Sequence, residues 1–171
     1  MTTLILTVVG DDRAGLVAKI AEIVEHHGGN WENSELAELA GTFAGVIQVS
    51  VAPERADDLR AALDILEGLL TVTVHTSADS DVSASDAQMV TVRVLGNDRA
   101  GIVRDISSVL SAHDISIDRL TTETKDAAMF GGRLFEATVV AKVAASIDLA
   151  EVQDGIEKLA AEIQVDVTFE R

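Results

Sequence analysis

The chain has 171 residues, 47% of them hydrophobic and 25% charged, and its 29 acidic against 13 basic residues leave a formal net charge of -16. That balance argues against direct binding to a phosphate backbone, which needs clustered Lys and Arg. No Cys is present, which excludes disulfides, thiolate zinc sites and Cys nucleophiles, and no apolar stretch approaches the ~18 residues of a membrane span.

The opening Met1-Thr2-Thr3-Leu4-Ile5 lacks the basic region and apolar run of a signal peptide, so a cytoplasmic location is expected. Thr3 to Val9 reads as a first strand. It leads into Gly10-Asp11-Asp12-Arg13-Ala14-Gly15-Leu16-Val17, and that loop recurs 86 residues later as Gly96-Asn97-Asp98-Arg99-Ala100-Gly101-Ile102-Val103. Counted from Val8 and Val94, seven of ten positions are identical, so the chain holds two copies of one module. After the first loop, Leu16, Ile20, Ile23, Val24 and His27 fall on one helical stripe, which Gly28-Gly29 ends. A strand is predicted at Asn30 to Leu39, although its Glu and Leu content also suits a helix, and another at Phe43 to Val51. Pro53 opens a second helix with the stripe Leu59, Leu63, Leu66 and Leu70, and the alternating strand Thr71 to His75 closes the copy.

Ser77 to Ala87 is rich in Ser, Asp and Ala and reads as a solvated linker. Its Asp-x-Asp-x-Ser start does not make a calcium loop, because Ala84 stands where the sharp-turn Gly is needed and Val90 where the bidentate Glu is needed. The second copy starts with a strand from Met89 to Leu95 and, past its own loop, a stripe of Ile102, Ile106, Val109, Leu110 and His113. Strands follow at Ile115 to Thr124 and Phe135 to Val143. The capping-box pattern Asp148-x-x-Glu151 then opens a helix with the stripe Leu149, Val152, Ile156, Leu159 and Ile163, before a last strand at Gln164 to Phe169. Between Phe43 and Phe135 the offset has grown to 92, so the second copy carries six extra residues, most simply within Lys125 to Gly132, since insertions go into loops. Met129 and Phe130 in that insert are candidate partner contacts.

The order βαββαβ, twice over, predicts an α+β protein of two ferredoxin-like modules, each an antiparallel four-stranded sheet with two helices on one face. The modules are placed at 1–76 and 88–171, with 77–87 as linker. Modules of about eighty residues make only marginal cores, so a homodimer is expected. Residues 1–86 carry 4 basic and 15 acidic residues and residues 87–171 carry 9 and 14, giving -11 and -5, so neither half is basic.

A strand, then Gly-(Asp/Asn)-Asp-Arg-x-Gly-(Leu/Ile)-Val, then a helix, within a βαββαβ unit of this size, resembles the ACT domain. Two copies with nothing attached are similar to the tandem ACT family related to the glycine cleavage system transcriptional repressor. Ala14 and Ala100 stand where that family usually has Pro, which removes a rigid helix start without harming the helix. The resemblance implies binding of a small effector, usually an amino acid, at interfaces between modules, and transmission of that event to a protein partner. The residues offer a matching chemistry. A loop entering a helix leaves amides unpaired near Ala14, Gly15 and Leu16 and near Ala100, Gly101 and Ile102, where the helix dipole favours an anion. Gly15 and Gly101 lack a Cβ, so a carboxylate can come close, and Asp11 or Asn97 would hold the ammonium of the same zwitterion. That carboxylate-for-carboxamide difference predicts unequal sites.

Plainer roles compete for the same residues. Asp12 and Asp98 suit helix N-caps as well as ligand contacts, Gly15 and Gly101 would let the helix sit tight on its strand, and Arg13 and Arg99 suit surface ion pairs. His27 and His113 read as part-buried helix-end residues rather than metal ligands, and neither a metal nor a cofactor is expected. Catalytic signatures are missing: there is no Gly-x-Ser-x-Gly, Walker loop, His-Glu-x-x-His or Gly-x-Gly-x-x-Gly. The expected protein is therefore a non-enzymatic, amino-acid-binding regulator without direct nucleic-acid or membrane contact. The alternatives are a ligand-free interaction module and an acylphosphatase-like enzyme that would use Arg13 or Arg99.

Overall fold

Leu4, Leu6 and Val8 alternate with Thr3, Ile5 and Thr7, and that period of two makes β1 (Thr2–Asp11) a strand with one buried and one open face. In the computed structural model, which describes residues 1–77, 87–127 and 131–170, the first unit continues through α1 (Leu16–His26), β2 (Asn30–Leu39), β3 (Thr42–Val51), α2 (Ala56–Leu63) and β4 (Thr71–Thr76). The second repeats the order as β5 (Ala87–Asn97), α3 (Ile102–Ala112), β6 (Ser116–Asp126), β7 (Arg133–Ala144), α4 (Leu149–Ile163) and β8 (Val165–Glu170). The chain divides into two compact units at Val82/Ser83. Both sheets are antiparallel, ordered β2-β3-β1-β4 and β6-β7-β5-β8, so the strand before each repeated loop is central in its sheet. The fold is thus α+β and ferredoxin-like, twice.

Each core lies between one sheet face and two helices. In the first unit Leu4, Leu6, Ile20, Ile47, Val49 and Leu59 are completely buried, and the second repeats the pattern with Val92, Ile106, Leu110, Val139, Val152 and Ile156. The segment Asn30–Leu39, whose composition also suited a helix, is strand β2, because its nine pairings with β3 satisfy the backbone and bring Trp31 and Leu36 against the core. The stripe Leu59, Leu63, Leu66, Leu70 is not one helix. The α-helix stops at Leu63, a 3₁₀ turn spans Asp64–Leu66, and Gly68 turns the chain at φ 90°, yet Leu66 and Leu70 are still buried. In the second unit Asp148 does cap its helix, its carboxylate accepting from the Ala150 amide at 2.9 Å.

The helices α1 and α3 end alike. Gly28 donates to the Glu25 carbonyl and Gly29 to that of Val24, while Asp114 donates to Ser111 and Ile115 to Leu110. This is the paired-bond ending that needs a left-handed residue, supplied by Gly28 at φ 69° in one copy and by Asp114 at φ 56° in the other. The hairpins differ as the offset requires. Ala40 and Gly41, at φ 52° and 82°, join β2 to β3, whereas the second hairpin gains the pair Asp126↔Arg133, beyond which Ala127 donates its amide to the Gly132 carbonyl at 3.0 Å. By register the six extra residues fall between Lys125 and Leu134, where Leu39 and Thr42 are matched in the first copy; Met129 and Phe130 lie outside the described residues. Ala87, read from sequence as the last linker residue, pairs with Ala144 in β5. Sequence reading also missed a bulge at equivalent places, Glu32 in β2 and Asp118 in β6. Glu32 accepts hydrogen bonds from Ser50 (2.6 Å) and Asn30 (2.8 Å), which hold its carboxyl below the usual range, and Asp118 pairs with Lys142 at 2.6 Å.

Candidate functional site

The repeated loops leave the central strands at Asp11 and Asn97 and are tied at once to the neighbouring hairpin: Asp12 donates its amide to the Gly41 carbonyl and Asp98 to that of Arg133, both at 2.8 Å. Each loop then turns through a left-handed glycine, Gly15 at φ 89° or Gly101 at φ 94°, which holds the N-cap position of the helix. The carbonyls of these glycines accept the first helical bonds, from Lys19 at 3.0 Å and Asp105 at 2.9 Å. Neither helix receives a side-chain cap. The N-cap role considered for Asp12 and Asp98 is therefore not taken up, because both lie three residues short of the cap.

The two glycines of each loop are required for different reasons. A Cβ on Gly10 would stand 2.5 Å from the Leu69 carbonyl oxygen, just ahead of β4, and one on Gly96 would stand 2.5 Å from Val165 Cγ1, at the start of β8, so the chain entering each last strand leaves no room. Gly15 is different: nothing lies within 4 Å of its added Cβ. Close seating of the helix on its strand is thus not its purpose, and its positive φ is. At Gly101 only the mobile ends of Arg104 (3.2 Å) and Arg99 (3.8 Å) come near.

Of the residues singled out from sequence, Asp11, Asp12, Ala14, Gly15, Asn97, Asp98 and Ala100 are exposed and Gly101 is part-buried. Leu16 and Ile102 are buried, so only their backbones face the loop. Arg13 lies 3.7 Å from Asp11, and Arg133 lies 4.0 Å from Asp98. The loops diverge just inside the helix. In the second unit Asp105 holds two guanidiniums, Arg99 Nη2 at 2.8 Å and Arg104 Nη2 at 2.7 Å, and Arg104 followed by Arg99 keeps its carboxyl below the usual range. The corresponding positions of the first unit are Ala18 and Lys19, and α1 has no acidic residue in its first turn. A helix N-terminus favours a negative charge; α3 carries its own and α1 does not. Arg104 and Asp105 were missed in the sequence, where their only signal is that the copies cease to match there.

His27 and His113 sit at the helix ends as expected. His27 Nδ1 donates to the Ile23 carbonyl at 2.8 Å and His26 Nδ1 to that of Glu22 at 2.9 Å. Among the described residues no three His, Cys, Asp or Glu are grouped to hold a metal ion, and no helix is long and apolar enough to cross a membrane. A groove of about 480 Å³ runs between α1 and α2, lined by Glu22, Ile23, His26, His27, Ala61, Ala62 and Ile65. It lies at the far end of α1 from the repeated loop.

The ACT domain pattern matches residues 2–77 and again residues 85–166. The glycine cleavage system transcriptional repressor of Escherichia coli (strain K12) is 25% identical over 163 residues, spanning 94% of this chain and 85% of that protein. Among solved structures, an unknown protein from Galdieria sulphuraria is similar with a TM-score of 0.88 and 25% identity, covering 99% of this chain and 97% of that one. A putative glycine cleavage system transcriptional repressor is similar in fold, with a TM-score of 0.73 and 20% identity over 99% of this chain and 96% of that one.

Proposed function

Because the chain belongs to the ACT domain family along both of its units, we propose that it is a non-enzymatic cytoplasmic regulator of amino-acid metabolism that binds an amino acid at its repeated loops and acts by touching another protein. The observation that carries this reading is the repeated entry into a helix through a left-handed glycine with no side-chain cap. Such an entry presents backbone amides and the positive end of the helix dipole to whatever lies outside. An effector carboxylate fits the amides of Ala14, Gly15 and Leu16, with Asp11 taking its ammonium; Ala100, Gly101, Ile102 and Asn97 are the counterparts, and Asp12 and Asp98 fix each loop to its hairpin. Arg99 is held by Asp105 at 2.8 Å and the exposed Arg13 lies 3.7 Å from the Asp11 carboxylate; a carboxylate beside each arginine disfavours an acylphosphatase-like role.

The first loop is the stronger site in this reading. The start of α1 has no first-turn carboxylate to compete with an incoming one, whereas in α3 Asp105 already holds that place and engages Arg99 and Arg104. A net charge of -16 makes a DNA phosphate backbone an unfavourable partner, so any control of transcription passes through a protein contact. The relative named as a transcriptional repressor supports that direction. A homodimer completes the proposal, since each unit has a small core.

The test is calorimetric titration with the twenty amino acids, on the parent and on Lys19→Asp. That substitution places in α1 the first-turn carboxylate that α3 already has, and spares the strained glycine. Binding that weakens at least tenfold in Lys19→Asp supports the first loop as the site; unchanged affinity places the effector elsewhere. No heat with any amino acid favours a ligand-free interaction module.

A further inference from the structure

The pair of helices over each sheet allows one unit to be compared with the other. In the second unit the pair is closed: a Cβ on Gly155 would stand 3.3 Å from Val109 Cγ1 and 3.5 Å from His113 Nε2, so α4 lies directly on the end of α3. Asp154 and Lys158 are exposed beside that contact. Setting the buried Leu59 and Leu63 on Val152 and Ile156 brings Ala61, Ala62 and Ile65 of the first unit to the positions of Asp154, Gly155 and Lys158. There the pair stands open as the groove of about 480 Å³ between α1 and α2, and Ile65, which lines it, is 78% exposed.

We propose that this groove is a small-molecule site separate from the repeated loop, and that it takes an amine carried on a compact apolar body. The polar side chains that line it are Glu22, His26 and His27. His27 Nδ1 donates to the Ile23 carbonyl at 2.8 Å and His26 Nδ1 to that of Glu22 at 2.9 Å. A neutral imidazole bound in this way offers only the lone pair of Nε2, so with the Glu22 carboxylate the polar lining accepts hydrogen bonds and donates none. The groove also lies at the carboxyl-terminal ends of α1 and α2, where the helix dipole favours a cation. Lys19 and Arg55 do not line it; Arg55 donates to the His26 carbonyl at 3.4 Å, and Arg60 is held by Asp57 at 2.8 Å. Size separates a small molecule from a docked helix. The lining stretches Glu22–His27 and Ala61–Ile65 run about 9 and 8 Å at ~1.5 Å per residue, less than the ~10.5 Å between the first and last anchors of a helix docked through i and i+7. The volume falls within the ~300–1,000 Å³ of small-molecule pockets, and Ile23, Ala61, Ala62 and Ile65 supply its apolar wall.

The test is calorimetric titration with phenethylamine and with 3-phenylpropionate, which keeps an apolar ring and exchanges the ammonium for a carboxylate. The parent is expected to bind one phenethylamine per chain and to bind 3-phenylpropionate at least tenfold more weakly. Ile65→Lys copies Lys158 of the second unit onto an exposed position, so the fold tolerates it, and is expected to weaken phenethylamine at least tenfold. Glu22→Gln, which removes the carboxylate from the lining, is expected to weaken it at least threefold, and Asp154→Asn, the same loss of charge in the second unit, is expected to leave it unchanged. No heat from phenethylamine with the parent, equal affinity for the two probes, or parental affinity in either Ile65→Lys or Glu22→Gln would overturn the site. None of these outcomes depends on whether an amino acid binds at the repeated loop.

Discussion

Gly10 and Gly15 stand five residues apart in one loop and answer to different constraints. The first is fixed by space, because a Cβ there meets a backbone carbonyl at 2.5 Å; the second is fixed by its φ of 89°. Gly15→Ala is expected to cost about 1 kcal/mol of stability and Gly15→Asn less, since Asn tolerates the left-handed region. Gly10→Ala, an overpacking change against a main chain with no freedom to swing aside, is expected to cost at least about 2 kcal/mol. Urea unfolding ranks the three, and a milder effect for Gly10→Ala would contradict the assignment. The repeat revealed both glycines, but sequence could not separate their reasons, because one depends on Leu69 and Leu70, some sixty residues away. Asp105 was hidden for a related reason: a carboxylate becomes informative only when Arg99 and Arg104 are seen converging on it. Its folded pKa is depressed, so its stabilising effect is present above the unfolded value and is lost as pH falls through the folded one. Melting of the parent below the usual carboxylate range is therefore expected to decline slightly more steeply than that of Asp105→Asn, and superimposable profiles would show the pair to be worth nothing.

At the scale of elements, the strands and helices whose apolar residues recur cleanly were legible from sequence. β5, with Val90, Val92 and Val94 inward, and α3, with its stripe through Leu110, fall where periodicity placed them. Two features were not. The Leu59-to-Leu70 stripe keeps helical spacing although the chain changes to a 3₁₀ turn after Leu63, because burial selects leucine whatever backbone delivers it. The bulges at Glu32 and Asp118 break a strand without breaking its pattern of residue types. Helix ends are more predictable. Asp114 occupies at φ 56° the position that Gly28 holds at 69°; an ordinary side chain there is strained by about 1–2 kcal/mol and Asp by less, and glycine offsets part of that through the chain entropy it loses on folding. Asp114→Gly is thus expected to change the stability of the second unit by no more than about 0.5 kcal/mol in thermal melting, and a clearly lower melting temperature would argue that the Asp side chain contributes more than its backbone costs.

For the whole molecule, the repeat divides the work between two units of one fold whose surfaces have diverged. One loop starts its helix without a first-turn carboxylate and the other supplies its own. The charge of -16 belongs to both units together, and the purified protein is expected to give no gel shift with DNA at physiological salt; a salt-sensitive shift would contradict action through a protein partner. What the sequence left open, the identity of the proposed effector, depends on side chains that would surround a bound molecule, since free helix amides would recognise only a carboxylate. The most direct measurement is a thermal-unfolding screen of the parent protein and Lys19→Asp against the twenty amino acids. At ~100 times its dissociation constant the effector adds about 2.7 kcal/mol of stability, and the expected result is one or a few amino acids that raise the parent's melting temperature and lose that effect in Lys19→Asp. A flat screen, or stabilisation retained in full by Lys19→Asp, would contradict an amino-acid site at the first loop.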